Sequence, residues 1–252
     1  MLRLSERLAA IADYVFEGET VADIGTDHGL LPIFLLQQKR SPKVILSDIR
    51  EGPLGKAREN LLTFAPGIKA DLRLGSGLET LENGEVDTVI IAGMGGHMIS
   101  DILAADPVKT RSFAKFILQP RNVPDKLRIW LYKHGYAITH ERLVRERNKI
   151  CEIMVVDTTL QRDRAGNEDE FMRKLSDLEF EISPLLFSSK DPLLNEWIEY
   201  KIKTEENIIE SIRTKGSESS LRKVGSNEKR LKKLKELQER YRFSQHLVNG
   251  SI

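Results

Sequence analysis

The sequence predicts an α/β fold: a mostly parallel sheet with an antiparallel hairpin at one edge, followed by a C-terminal antiparallel helical, coiled-coil-like domain. Three observations predict it. Short apolar runs of four to seven residues recur through the first 120 residues, with room for a helix between most of them. Two strand-like segments, Tyr136–Leu143 and Ile150–Asp157, then follow one another across a short charged turn. Beyond residue 168 the Gly-rich, β-branched character gives way to Glu, Lys, Leu and Ile, with apolar residues at intervals of three, four and seven.

Taken in order, Leu4, Leu8, Ile11 and Val15 lie at helical spacing with Ser5 placed to cap them. Strands are expected at Thr20–Ile24, Val44–Ser47, Asp71–Leu74, Val86–Ala92 and Phe113–Leu118. They read as buried parallel strands, because continuous rather than alternating apolar residues imply that both sheet faces are covered. The two later segments should form a hairpin around the turn Val144–Lys149, closing one edge. Leu194, Ile198, Ile202, Ile209 and Ile212 mark one long helix; Leu231, Leu234, Tyr241 and Val248 mark a second. Gly216-Ser217, Ser219-Ser220 and Gly225-Ser226 break the pattern between them, so the two helices fold back on each other. A polar stretch, Thr158–Asn167, separates the expected domains, residues 1–160 and 161–252.

Composition narrows the function classes. The chain has 252 residues, 39 basic and 38 acidic, with 40% hydrophobic and 31% charged residues. That balance excludes a disordered polyampholyte. The longest apolar run, Leu30–Leu36, contains a proline and is far short of the roughly 20 residues that span a bilayer. No signal-peptide core is expected in the first dozen residues, so a cytoplasmic protein is expected, without membrane or metal partners. The single cysteine, Cys151, allows no internal disulfide. The near-zero net charge hides an asymmetry: Arg213–Arg242 carries eleven basic residues against four acidic ones.

The stretch Val21-Ala22-Asp23-Ile24-Gly25-Thr26-Asp27-His28-Gly29 carries the clearest site signal. A strand ends at Ile24, Gly25 and Gly29 permit a tight turn, and a helix starts near Leu30. The glycine spacing does not match G-x-G-x-x-G, and acidic residues at 23 and 27 would repel a pyrophosphate. They suit a ligand with a cationic end, such as the ammonium and sulfonium of S-adenosylmethionine. Asp48, 19 residues after Gly29, ends the second strand where a carboxylate can accept both hydroxyls of a ribose, with Ile49 beside it. Gly75-Ser76-Gly77 follows the third strand and could border the adenine. After the fourth strand, Gly93-Met94-Gly95-Gly96 leaves room for backbone to approach the methyl donor. The Asn/Asp-Pro-Pro-aromatic turn of exocyclic-amine methyltransferases is absent from this position. A helix cap for Asp27 and a packing turn for the glycines are the bland alternatives.

Leu4-Ser5-Glu6-Arg7-Leu8, Asp23-Ile24-Gly25-Thr26-Asp27-His28-Gly29, Gly93-Met94-Gly95-Gly96 and Gln119-Pro120-Arg121-Asn122 together resemble one family. It is the bacterial tRNA adenine-N1 methyltransferases that modify position 22. The resemblance spans most of the chain and implies a Rossmann-like methyltransferase domain with a helical C-terminal appendage. It also implies S-adenosylmethionine as donor and tRNA as acceptor. Ser76 departs from broader methyltransferase practice, which often places an acidic residue near the adenine.

Adenine N1 attacks through an in-plane lone pair and needs no deprotonation, so catalysis can be alignment plus stabilisation of positive charge moving onto the base. Asp27 is the expected stabiliser and His28 a second candidate, with a structural role as the alternative for the histidine. Gln119, Arg121 and Asn122 are placed to meet the target nucleotide or its phosphate. For the RNA backbone, one basic cluster comprises Lys229, Arg230, Lys232, Lys233 and Lys235; a second comprises Arg142 and Arg145 near the hairpin turn. A monomer is expected. Two readings of other classes compete: a small-molecule methyltransferase with a helical dimerisation or lid domain, and a non-catalytic RNA-binding scaffold.

Overall fold

The Ser5 side chain accepts a hydrogen bond from the Leu8 amide, and the chain turns into α1 (Glu6–Ala12), burying Ala10, Ile11 and Ala12. The computed structural model describes residues 2–160, 177–216 and 224–249 and divides into two compact units, Met1–Glu170 and Phe171–Ile252. Most of the expected linker, 161–167, lies outside the described residues.

In the first unit, β1 (Val21–Ile24), α2 (Leu30–Gln37), β2 (Val44–Asp48), α3 (Glu51–Phe64) and β3 (Asp71–Leu74) alternate. Next come β4 (Thr88–Met94), α4 (Gly96–Ala105), α5 (Pro107–Ser112), β5 (Lys115–Pro120) and α6 (Pro124–Lys133). The hairpin β6 (Ala137–Glu146) and β7 (Lys149–Asp157) completes it. The seven strands run in the order β3-β2-β1-β4-β5-β7-β6, with β1 to β5 parallel and β7 antiparallel to both of its neighbours. The hairpin therefore closes the edge as expected, with its second strand inserted between β5 and β6.

Successive strand residues feed opposite cores, which is why the runs read as continuously apolar. Val21, Leu46, Ile90 and Ile117 join α1, α2 and α3 on one face. Ala22, Ile45, Val89, Ile91, Phe116 and Leu118 join α4 and α6 on the other. β1 is central, with β2 on one side and β4 on the other. Strand order reverses there, so the carboxyl ends of β1 and β4 border a crevice of the kind in which open α/β sheets bind ligands.

The hairpin turn is shorter than expected. Arg142 and Arg145 lie within β6 and Lys149 begins β7, leaving Arg147 and Asn148 in the turn, with Arg147 at φ 54. Continued cross-strand pairing down to Glu146–Lys149 accounts for the difference. Arg142 also has a local partner, Asp13, at 2.9 Å.

Described by itself, the second unit contains α7 (Asp177–Glu181), α8 (Pro184–Ser188), α9 (Leu194–Lys215) and α10 (Val224–Asn249). Contacts from Arg242 to Glu199 and Asn195, near the start of α9, and from Lys235 to Glu206, further along, place α9 and α10 antiparallel. Leu194, Ile198, Ile202 and Ile209 are buried along α9, as are Leu234 and Tyr241 along α10. The side chain of Val248 and the breakers at 217–220 lie outside the described residues, whereas Gly225-Ser226, expected to break the pattern, lies within the first turn of α10, where a helix end tolerates glycine and serine.

Arg128 on α6 pins the edge hairpin: it pairs with Glu141 on β6 at 2.7 Å and with Glu152 on β7, and all three side chains are buried. Removing the cation would strand two carboxylates in the core. Arg128→Met should therefore destabilise the protein by about 3–5 kcal/mol, read as a lowered midpoint in equilibrium urea unfolding.

Candidate active site

The crevice is built by the turn after β1. Gly25 (φ 75), Asp27 (φ 47) and Gly29 (φ 67) all occupy left-handed backbone, which glycine adopts freely and aspartate tolerates. The Gly25 and Thr26 amides donate to the Ser47 carbonyl at 2.7 and 3.0 Å, tying the turn to β2. A Cβ at Gly25 would fall 2.2 Å from the Met94 methyl, and one at Gly29 would strike Leu46 and Ala57 at 2.8 and 2.9 Å. Close approach as well as φ requires glycine at 29, whereas at 25 the Met94 methyl could swing aside and the left-handed φ is what favours glycine.

Asp23 points into this turn from the end of β1. It is buried, accepts a hydrogen bond from the Thr26 hydroxyl at 2.7 Å, and has its carboxyl pushed from 3.8 up to about 6. Burial is the leading cause; the Thr26 hydrogen bond and the charge of Arg7 oppose it, while Asp48 adds to it. Asp48 ends β2, is buried, and accepts from the Arg50 amide at 2.9 Å. Ile49, next to it, is 66% exposed. Gly75 donates to the Asp48 carbonyl at 3.0 Å, which places the Gly75-Ser76-Gly77 segment beside the same strand end, with Ser76 exposed.

Asp27 and His28 lie on the rim. Asp27 is 67% exposed at its side chain, with its Oδ2 3.5 Å from His28 Nε2. The capping position of α2 is Gly29, with no side-chain cap, so the expected alternative of a capping role for Asp27 does not apply.

The fourth strand carries a bulge between Ala92 and Met94, leaving Gly93 at φ 77 with open space where a side chain would stand. Its amide donates to Gln119 Oε1 at 3.1 Å. Gln119 is only 2% exposed and its Nε2 donates to the Pro120 carbonyl at 2.9 Å, so this side chain supports the bulge from within. Asn122 is exposed, and its Oδ1 accepts from the Gly96 amide at 3.2 Å, at the start of α4. Arg121 is exposed. Sequence reasoning missed Arg7 as part of this site. Its Nη1 donates to Gln119 Oε1 at 3.2 Å and its Nε pairs with Glu146, 112 and 139 residues away. It lies in the Leu4-Ser5-Glu6-Arg7-Leu8 motif, but nothing in that local pattern points to partners so far away.

The basic residues of α10 differ in their partners. Arg230 meets Glu181 at 2.6 Å and Glu205 at 3.2 Å, and Lys235 meets Glu206 at 2.7 Å. Lys232 is loosely paired with Glu236 at 3.9 Å. Lys229 and Lys233 are exposed and make no ion pair with a described residue. Among the described residues, no cluster of His, Cys, Asp and Glu could hold a metal ion, and no helix is long and apolar enough to cross a membrane.

Comparison with known proteins accords with this arrangement. Residues 4–154 match the family model described as a methyltransferase domain. The Bacillus subtilis tRNA (adenine(22)-N1)-methyltransferase is 30% identical over 250 residues, 98% of each chain. A crystal structure of the B. subtilis m1A22 tRNA methyltransferase superposes with a TM-score of 0.77 at 30% identity, covering 94% of this chain and all of that one. A Streptococcus pneumoniae structure solved in complex with S-adenosyl-L-methionine superposes at 0.74 and 30% identity, covering 91% and 100%. With a methyltransferase domain over more than half its length and this identity over nearly all of it, the chain belongs to the tRNA (adenine(22)-N1)-methyltransferase family.

Proposed function

We propose that the protein transfers a methyl group from S-adenosylmethionine to N1 of adenine 22 in tRNA, with the donor held at the carboxyl ends of β1, β2 and β4. The observation that carries this reading is the buried carboxylate of Asp23, facing a turn of left-handed backbone at the β1–β4 reversal. Such a group fits a cationic ligand and would reject a phosphate. The donor, when bound, supplies an electrophilic methyl on a sulfonium. Asp23 would balance its positive end, Asp48 would accept its ribose hydroxyls, and the exposed Ile49 would lie against its adenine beside Gly75, Ser76 and Gly77. Gly25, Gly29, Gly93 and Met94 would bring backbone up to the methyl.

The adenine supplies its own lone pair, so the residues around it align the base and stabilise the charge it acquires. Asp27, exposed on the rim and not engaged as a helix cap, is the carboxylate placed for that task, with His28 beside it. Arg121 and Asn122, both exposed after β5, would meet the nucleotide, while the buried Gln119 acts behind them by shaping the loop. A base in folded tRNA must leave its stack to reach this pocket. Phosphate contacts would come from α10 and from Arg142 and Arg145 on β6, in a cytoplasmic enzyme. The similarity over nearly the whole chain to tRNA methyltransferases weighs against a small-molecule substrate, and the intact acidic turn weighs against a scaffold without donor binding. The deciding experiment incubates the protein with radiolabelled S-adenosylmethionine and unmodified tRNA and maps the methylated nucleotide. Label at an adenine other than 22, or in no nucleotide, would sink the reading.

Donor affinity should depend on pH through Asp23. Its carboxyl titrates near 6 in the free protein, so below that pH it is protonated and cannot balance a cation. Calorimetry should show affinity falling up to tenfold per pH unit below about 6 and level above about 7. The same shift has a cost in stability. Ionisation is penalised in the folded chain alone, so stability contributed by this group is full below 3.8 and is lost as pH rises through about 6. Asp23→Asn should thus abolish most donor affinity yet raise the unfolding free energy at neutral pH by up to about 3 kcal/mol.

Asp27→Ala tests the chemistry. Under saturating donor and tRNA, single-turnover transfer should slow by more than tenfold, above about 1.4 kcal/mol in barrier, with smaller changes in binding. A rate within about threefold of wild type would remove Asp27 from the reaction.

For RNA binding, Lys229→Ala with Lys233→Ala should weaken all tRNAs alike. The slope of log affinity against log salt should fall by about 0.7–0.9 for each phosphate contact removed. An unchanged slope would shift the RNA face to Arg142 and Arg145.

A further inference from the structure

We propose that Arg7 is a positioning residue for methyl transfer, acting through the buried amide of Gln119 to fix the Gly93 bulge. The proposal rests on the reading of the site given above and adds a residue to it. Gln119 Oε1 accepts two hydrogen bonds, from Arg7 Nη1 at 3.2 Å and from the Gly93 amide at 3.1 Å. An isolated glutamine amide can turn over and exchange its oxygen for its nitrogen. Here it cannot, because a guanidinium only donates. A reversed amide would set its NH₂ against two other donors and lose its hydrogen bond to the Pro120 carbonyl. Arg7 therefore joins the Gly93 amide and the Pro120 carbonyl in holding an acceptor toward Gly93, and ties that acceptor to α1.

The bulge needs that acceptor. Gly93 sits at φ 77 beside open space, between Ala92 and Met94, where the register of β4 against β5 shifts. Met94 on its far side packs over Gly25 of the donor turn. A drift of the Gly93 peptide would thus move one wall of the site relative to the other. Arg7 is itself held by Glu146 at the end of β6, so α1, β4, β5 and β6 are joined through one guanidinium. The same cation opposes the burial of Asp23, whose other neighbours are the Thr26 hydroxyl and the Asp48 carboxylate. Fork geometry and charge are consequently separate contributions of one side chain. Lysine keeps the second and loses the first.

The experiment compares full-length wild type, Arg7→Met, Arg7→Lys, Gln119→Leu and the Arg7→Met/Gln119→Leu double variant. Single-turnover transfer to unmodified tRNA is measured at saturating donor and tRNA, and donor affinity by calorimetry from pH 5 to 8. Arg7→Met should slow transfer by roughly 10–100-fold and move the pH midpoint of donor binding upward. Arg7→Lys should restore the midpoint but leave transfer slowed at least tenfold. Gln119→Leu should slow transfer as much as Arg7→Met, and the double variant should be no slower than either, since both remove one connection. If Arg7→Met does not fold, Arg7→Lys carries the test alone, with a slowed rate at an unchanged midpoint. Transfer by Arg7→Lys within about threefold of wild type would overturn the proposal, as would multiplicative losses in the double variant. Wild-type protein that methylates no tRNA would instead overturn the underlying reading of the site.

Discussion

Burying a carboxylate at the end of a central strand is costly, and the first unit is organised around that cost. Asp23 lies where β1 meets the reversal of strand order, flanked by strands on both sides and covered by the turn that follows. Water is scarce there, so its carboxyl titrates near 6. The Thr26 hydroxyl and the Arg7 charge offset part of the penalty, and Asp48 increases it. What remains is a group that gains from a cation and loses from an anion. A site held in that condition favours its ligand at the expense of the free protein's stability, as functional sites commonly do.

Backbone geometry supplies the second half of the site. Gly25, Asp27 and Gly29 are all left-handed within five residues, and Gly93 is left-handed across the crevice. Other strands tie these turns down: the first donates to the Ser47 carbonyl of β2 in addition to its own Gly29–Thr26 and Thr26–Asp23 hydrogen bonds, and the second donates to Gln119 of β5. The sheet thus positions both walls. Arg7 and Glu146 extend the same connection to α1 and β6, and the Arg128 cluster fixes the hairpin on which Glu146 stands.

The second unit shows how charge counted along a sequence differs from charge available to a partner. Eleven basic residues against four acidic ones lie between Arg213 and Arg242. Their acidic counterparts come largely from outside that stretch. Glu181 on α7 and Glu199, Glu205 and Glu206 on α9 meet Arg230, Arg242 and Lys235, with Glu205 only 2% exposed. Arg230 is thereby a structural cation joining three helices of the unit, whereas Lys229 and Lys233 project outward from the same helix. An exposed ion pair adds little stability and still presents charge at longer range. Among the described residues of this stretch, Lys229 and Lys233, like Lys215 and Arg240, are exposed and make no ion pair with a described residue.

The sequence by itself determined the alternation of strands and helices, the edge hairpin, the paired C-terminal helices and the glycine-acid turn after β1. Each depends on neighbours a few residues apart, where strand and helix periodicity and left-handed backbone impose their own residue preferences. Strand ends drifted by one to three residues, at Val86 and Phe113 for example, because apolar character does not reveal where cross-strand pairing stops. Only the tertiary structure decided which polar residues face the crevice. Gln119 is buried and holds Gly93, whereas Asn122 stays exposed while its Oδ1 holds the Gly96 amide. Asp27 was compatible with a helix cap until the left-handed Gly29 took that position. The contacts of Arg7 were not legible, although its motif was, because its partners lie 112 and 139 residues away. A parallel sheet brings distant strand ends to one edge, so the charges that set the state of Asp23 belong to no single segment of the chain.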